Sequence, residues 1–193
     1  MIRVVSLTGD QVDAALDDLA RLRIAVFRDW PYLYDGDLEY ERGYLTAYQR
    51  PGAVVIAAYD DDRMIGAATG APMEQHADAF AAAFAGRPER LGDIFYCAES
   101  VLLPDYRGRG LGHAFFDGRE THARRLGRRW SAFCSVLRPA DHPARPTGYR
   151  PLDDFWRKRG YAPLPGAVAH FKWRDLGCVA ETEKPLQFWV RKL

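Results

Sequence analysis

The chain has 193 residues, a length that fits one domain with a sizeable core. Its 27 Lys and Arg nearly cancel 26 Asp and Glu, leaving +1, so charge gives no reason to expect a nucleic-acid or membrane-surface partner. The apolar run at 53–59 is too short to span a bilayer, Met1 to Leu7 does not read as a secretory leader, and Cys97, Cys134 and Cys178 match neither a metal spacing nor a disulfide framework, so a reduced, cytoplasmic setting without metal is expected.

Ile2 to Leu7 reads as a strand, and the helical spacing of Leu16, Leu19, Leu22, Val26 and Phe27 predicts a helix from about Asp10 to Arg28. Pro31 and Gly36 break the chain before a second helix over 38–48. Residues 53–59 and 64–71 form a hairpin about Asp60, Asp61 and Asp62. An alanine-rich helix over 77–85 is expected as a lid or a dimer contact. One strand over 94–103 then leads into a glycine loop, followed by a helix over 111–126 and a strand over 130–137. Four prolines mark 138–151 as a long loop. A short helix over 153–159 and strands over 168–173 and 187–191 close the chain. This order predicts a mixed α/β fold with one central sheet.

The glycine loop, Arg107-Gly108-Arg109-Gly110-Leu111-Gly112, carries the chemistry. Glycines between a strand and a helix let backbone approach a ligand closely, and the first helical turn offers unpaired N–H groups and a positive dipole end. Together they bind phosphate or pyrophosphate. The third glycine stands one residue too early for the dinucleotide pattern, and no Gly-Lys-Ser/Thr follows for a Walker loop.

Leu102 to Gly112 closely resembles the signature of the GNAT superfamily of N-acetyltransferases, Arg/Gln-x-x-Gly-x-Gly/Ala, through Arg107, Gly110 and Gly112. Phe155-Trp156-Arg157-Lys158-Arg159-Gly160-Tyr161 is similar to the family's late helix ending in Gly-Phe or Gly-Tyr, and Leu22-Arg23-Ile24-Ala25-Val26-Phe27 to its early helix. The resemblance implies a GNAT-like sheet with helices on both faces and splayed strands that admit acetyl-CoA. It implies that backbone from Arg107 through Gly108, Arg109, Gly110, Leu111 and Gly112 to His113 holds the pyrophosphate. The pantetheine arm would pair near Val101, Leu102 and Leu103. Arg107 could add a charge-assisted phosphate contact.

Acetyl transfer needs an unprotonated amine, so a proton must be taken up. Glu99, a lone acid in an apolar strand, is the expected base or cation anchor, with Asp93 and Tyr96 behind it; an internal salt bridge is the competing role. Alternation puts Cys97, Glu99 and Val101 on one face. Trp156 stands where many family members carry a proton-donating tyrosine, which leaves Tyr149 as a substitute donor. The aromatic and acidic stretch Trp30, Tyr32, Tyr34 and Asp35 suits a cationic amine, a small molecule or a peptide. The expected activity is an acetyl-CoA-dependent N-acetyltransferase acting by direct attack, with a homodimer left open. Transfer of a longer acyl group, a non-catalytic acyl-CoA sensor and a nicotinamide enzyme are the rivals.

Overall fold

A computed structural model describes residues 1–193. In chain order the elements are β1 (Ile2–Leu7), α1 (Asp10–Phe27), α2 (Leu38–Leu45), β2 (Val54–Asp60), β3 (Arg63–Pro72), α3 (Ala77–Phe84), β4 (Ile94–Tyr96), β5 (Ser100–Leu102), α4 (Leu111–Arg125), β6 (Trp130–Val136), α5 (Asp153–Lys158), β7 (Ala162–Trp173) and β8 (Thr182–Lys192). The eight strands form one sheet in the order β1-β2-β3-β4-β6-β8-β7, with β5 paired to β3. Every pair is antiparallel except β4 with β6.

Alternation along β2 builds the two faces. Val55 and Ala57 join the core under α1 and α2, while Val54, Ile56 and Ala58 join the core under α4 and α5. The expected helices on both faces are therefore present. A third cluster lies where Phe80 and Phe84 of α3 meet Phe188 at ring-centroid distances of 5.1 and 4.9 Å. That packing makes α3 a cover for the sheet face.

The expected single strand over 94–103 is broken. The Ala98 N–H donates to Thr69 O at 3.0 Å, and the Thr69 N–H donates to Glu99 O at 3.0 Å. Two residues thus oppose one, which is a β-bulge. A bulge shifts the alternation by one position. Cys97 therefore packs in the α4-side core, with its Sγ 3.3 Å from Ser131 Oγ, whereas Val101 packs in the α1-side core and Glu99 meets side chains of α1 and its neighbours. The expectation that Cys97, Glu99 and Val101 share a face is corrected. The helix expected over 38–48 ends at Leu45 and continues as a tight 3-10 turn, Thr46–Gln49. The closing strands are longer than expected, because a register irregularity between Pro163 and Val168 conceals the β7 pattern.

Candidate active site

The glycine loop enters α4 with Gly108 and Gly110 at φ 76° and 80°, a left-handed conformation that glycine adopts without strain. A Cβ at either position would meet no atom within 4 Å, so the loop faces open space. The backbone N–H groups of Gly108 through Gly112 donate to no acceptor within the protein; the first paired one is His113, which donates to Gly110 O at 3.0 Å. Arg107 is exposed and in no ion pair, whereas Arg109 turns back to Asp105 O at 3.1 Å. The His113 ring lies against Arg159 and Phe155, and Leu111 is buried in the core. This cradle of unpaired donors at the positive end of a helix fits a pyrophosphate.

Beside the cradle the sheet opens. β4 and β6 pair as far as Tyr96 and Ala132, and the Cys97 N–H still reaches Ala132 O at 2.7 Å. Past the bulge β5 pairs only with β3, while β6 continues along β8 to Val136. Because Leu103 donates to Ile65 O and Glu99 accepts from Thr69, the odd positions pair with β3. Antiparallel geometry then turns the backbone N–H and C=O of Ser100 and Leu102 into the gap. Of Val101, Leu102 and Leu103, only Leu102 presents backbone to the gap, joined by the unforeseen Ser100.

A buried arginine holds the bulge. Arg119 of α4 is 1% exposed and forms no salt bridge. Its guanidinium donates to Thr69 O at 3.2 Å, Glu99 O at 3.0 Å, Ser100 Oγ at 2.9 Å and Phe115 O at 3.2 Å. Such a charge is tolerated only because its donors are satisfied. The signal in the sequence is an arginine on the apolar stripe Leu111, Phe115, Ala123, which periodicity alone does not distinguish from an exposed one. His122, on the same helix, is half-buried with its Nε2 3.0 Å from Gly52 O.

A cavity of about 430 Å³ meets the gap at Ala98, Glu99 and Cys134. Glu99 contacts the Tyr44 hydroxyl at 2.5 Å, the Tyr48 hydroxyl at 3.3 Å, the Thr69 hydroxyl, and Arg23 Nη1 at 2.5 Å. Arg23 also donates to Glu41 Oε2 at 2.5 Å, and both members of that pair are buried. Burial acts to raise the Glu99 pKa, but Arg23 and the hydroxyl donors outweigh it and hold the carboxyl below its ordinary value. Glu99 is thus an ionised carboxylate within an internal salt bridge, with Tyr44 and Arg23 on Oε1 and Tyr48 and Thr69 on Oε2.

Tyr32, Tyr34 and Asp35 line this cavity, as do Tyr44 and Trp173, which sequence reasoning missed. The wall is pinned from the far side. Arg138 donates to Pro31 O at 2.9 Å and Tyr32 O at 2.7 Å, and forms a bidentate pair with Asp175 at 2.8 and 2.9 Å. Trp30 falls outside the cavity lining. Its ring packs against His142 at 5.1 Å and edge-on to Tyr149 at 6.0 Å. Tyr149 is thereby kept off the cavity, and Trp156 is wedged between Phe133 and Trp189. Tyr96 does line the cavity, with its hydroxyl 3.4 Å from Cys134 Sγ, and burial holds its pKa well above the ordinary value. Asp93 pairs loosely with Arg129 at 4.0 Å and does not line the cavity.

The family model described as "Acetyltransferase (GNAT) family" matches residues 18–147, a span that runs from α1 through the bulge and cradle to the loop after β6. The chain belongs to the GNAT acetyltransferase family. No curated protein matches it in sequence. Solved structures share the GNAT fold at low identity. The ribosomal-protein-alanine N-acetyltransferase of Brucella melitensis aligns with a TM-score of 0.61 at 16% identity, over 100% of this chain and 99% of that one. The yncA protein of Salmonella typhimurium, solved with its cofactor acetyl-CoA, gives 0.60 at 14% identity, over 99% and 94%. The PaiA N-acetyltransferase of Thermoplasma acidophilum, solved with coenzyme A, gives 0.55 at 11%, over 100% and 99%. No helix of this GNAT chain is long and apolar enough to cross a membrane.

Proposed function

We propose that the chain is an N-acetyltransferase that moves an acetyl group from acetyl-CoA to an amine by direct attack in a ternary complex. The observation that carries this reading is the row of unpaired N–H groups from Gly108 to Gly112, set beside a strand gap that leads into the aromatic cavity. Acetyl-CoA, when bound, supplies the acetyl group as an activated thioester. The cradle and the α4 dipole hold the pyrophosphate, and Arg107 adds charge. Ser100 and Leu102 offer backbone edges to the pantetheine arm. The cavity walls exclude water and orient the amine.

Glu99 serves this reaction as a fixed negative charge. A carboxylate held below its ordinary pKa is a weak proton acceptor at neutral pH, so it attracts and orients the amine while the proton leaves to water at the cavity mouth. The Tyr96 hydroxyl, kept protonated by burial, lines the cavity 3.4 Å from the Sγ of Cys134, a residue at which gap and cavity meet. It takes the part expected of Tyr149.

The test measures coenzyme A binding by calorimetry and thiol release from acetyl-CoA across primary amines. Amine-dependent thiol release with a mass gain of one acetyl group on the acceptor is expected. Tight binding with no turnover on any amine would overturn the enzyme reading in favour of a sensor. Absence of binding would overturn the donor assignment.

A further inference from the structure

We infer that the acceptor is a compact primary amine with an apolar, preferentially aromatic body, entering with its cationic head toward Glu99; this rests on the acetyl-transfer reading. Charge balance motivates the head group. Glu41, Arg23 and Glu99 form one buried side-chain network with two acids and a single base; the one other buried cation beside it, Arg119, meets the Glu99 backbone carbonyl and not its carboxylate, so the network keeps an acid in excess of its own base at the inner end of the cavity. A buried charge without a partner is unfavourable. One ammonium beside Glu99 supplies the counter-charge that this network lacks.

The walls select the body. Phe27, Tyr32, Tyr96, Phe171, Trp173 and Leu186 surround the space above Glu99. An apolar or aromatic skeleton buries its surface there, and a polar one loses hydration without replacement. A second ammonium finds no second buried carboxylate, since the remaining lining acid, Glu181, is solvent-exposed, where an ion pair is worth little. Asp35 is tied to Arg174 at 2.7 Å and Asp37 caps α2 through the Tyr40 N–H at 2.9 Å.

The sides also close against a polypeptide. The Asp35 N–H donates to Arg174 O at 3.0 Å, and the Leu176 N–H donates to Leu33 O at 2.7 Å. These bonds join the α1–α2 connection to the end of β7, leaving a pocket where an extended chain needs an open groove.

The test uses the purified chain with acetyl-CoA and measures thiol release on phenethylamine, spermidine, and peptides with a free N-terminus or a lysine. Phenethylamine should show kcat/KM at least about tenfold above each of the others. A higher value on spermidine or a peptide overturns the acceptor class and leaves acetyl transfer standing. No turnover on phenethylamine, with coenzyme A still bound, overturns the acceptor class, and acetyl transfer itself falls only if every primary amine fails. In Phe27→Ala, KM for phenethylamine should rise at least about fivefold with coenzyme A affinity retained; an unchanged KM also overturns the assignment.

Discussion

Replacing Arg23 with Met tests the charge network at the cavity. The guanidinium is within 2.5 Å of both Glu41 Oε2 and Glu99 Oε1, and Glu41 is fully buried. Removing one member of a buried ion pair costs about 3–5 kcal/mol because the other charge is stranded. Here two carboxylates are stranded, so the loss should fall near the top of that range, a large share of a typical stability of about 5–15 kcal/mol. Acid changes the two proteins in opposite directions. In the native protein the Glu99 pKa lies below its unfolded value of 4.5, so its contribution is present above 4.5 and is lost as pH falls through the folded pKa. In Arg23→Met the counter-ion is gone and burial pushes the same carboxyl up, so protonation relieves the variant as pH falls toward 4.5. Urea unfolding followed by circular dichroism at about pH 7.5 and about pH 5 measures both effects. The difference between native and variant should be largest at the higher pH and shrink at the lower. A loss below about 1 kcal/mol, or a difference that stays constant or grows on acidification, would refute the network as described.

Gly110→Asp places a side chain in the left-handed region and a negative charge among the cradle donors; coenzyme A affinity by calorimetry should fall at least about a hundredfold, and retained affinity would sink the phosphate assignment. Arg119→Lys keeps the charge but cannot span Thr69 O, Glu99 O and Ser100 Oγ together, so charge-assisted hydrogen bonds are lost at about 1.5–3 kcal/mol each while both carbonyls keep their backbone donors. Its urea midpoint should drop accordingly, and a midpoint equal to that of the native chain would show that the bulge holds without the fork. Cys178 is exposed, whereas burial pushes the Cys134 thiol up to about 12 and raises that of Cys97 as well. A disulfide reagent should therefore titrate one thiol promptly in the native protein and the other two only in denaturant; prompt reaction of two would contradict the packing.

Local patterns were readable from the chain because their causes are local. The α1 stripe, the β2–β3 hairpin and the cradle from Arg107 to Gly112 each follow from periodicity or from glycine beside a helix start. Glu99 stood out as an acid in an apolar strand. Its surroundings did not, because Arg23, Tyr44, Tyr48 and Thr69 reach it from separate elements, and pairing across the fold leaves no mark in spacing. The bulge at Ala98 and Glu99 was equally invisible. A two-residue alternation assumes unbroken register, and only the pairing of β4 and β5 with Thr69 reveals the slip that separates Cys97 from Glu99. Composition grouped Trp30 with Tyr32, Tyr34 and Asp35, yet the loop carrying His142 and Tyr149 holds Trp30 outside the cavity. The sequence by itself determined the donor cradle, since glycine conformation and helix polarity are built into a short stretch of backbone. Only the tertiary structure decided the strand gap, the charge balance around Glu99 and the shape of the acceptor cavity, because each depends on which distant side chains and strand edges folding brings into contact.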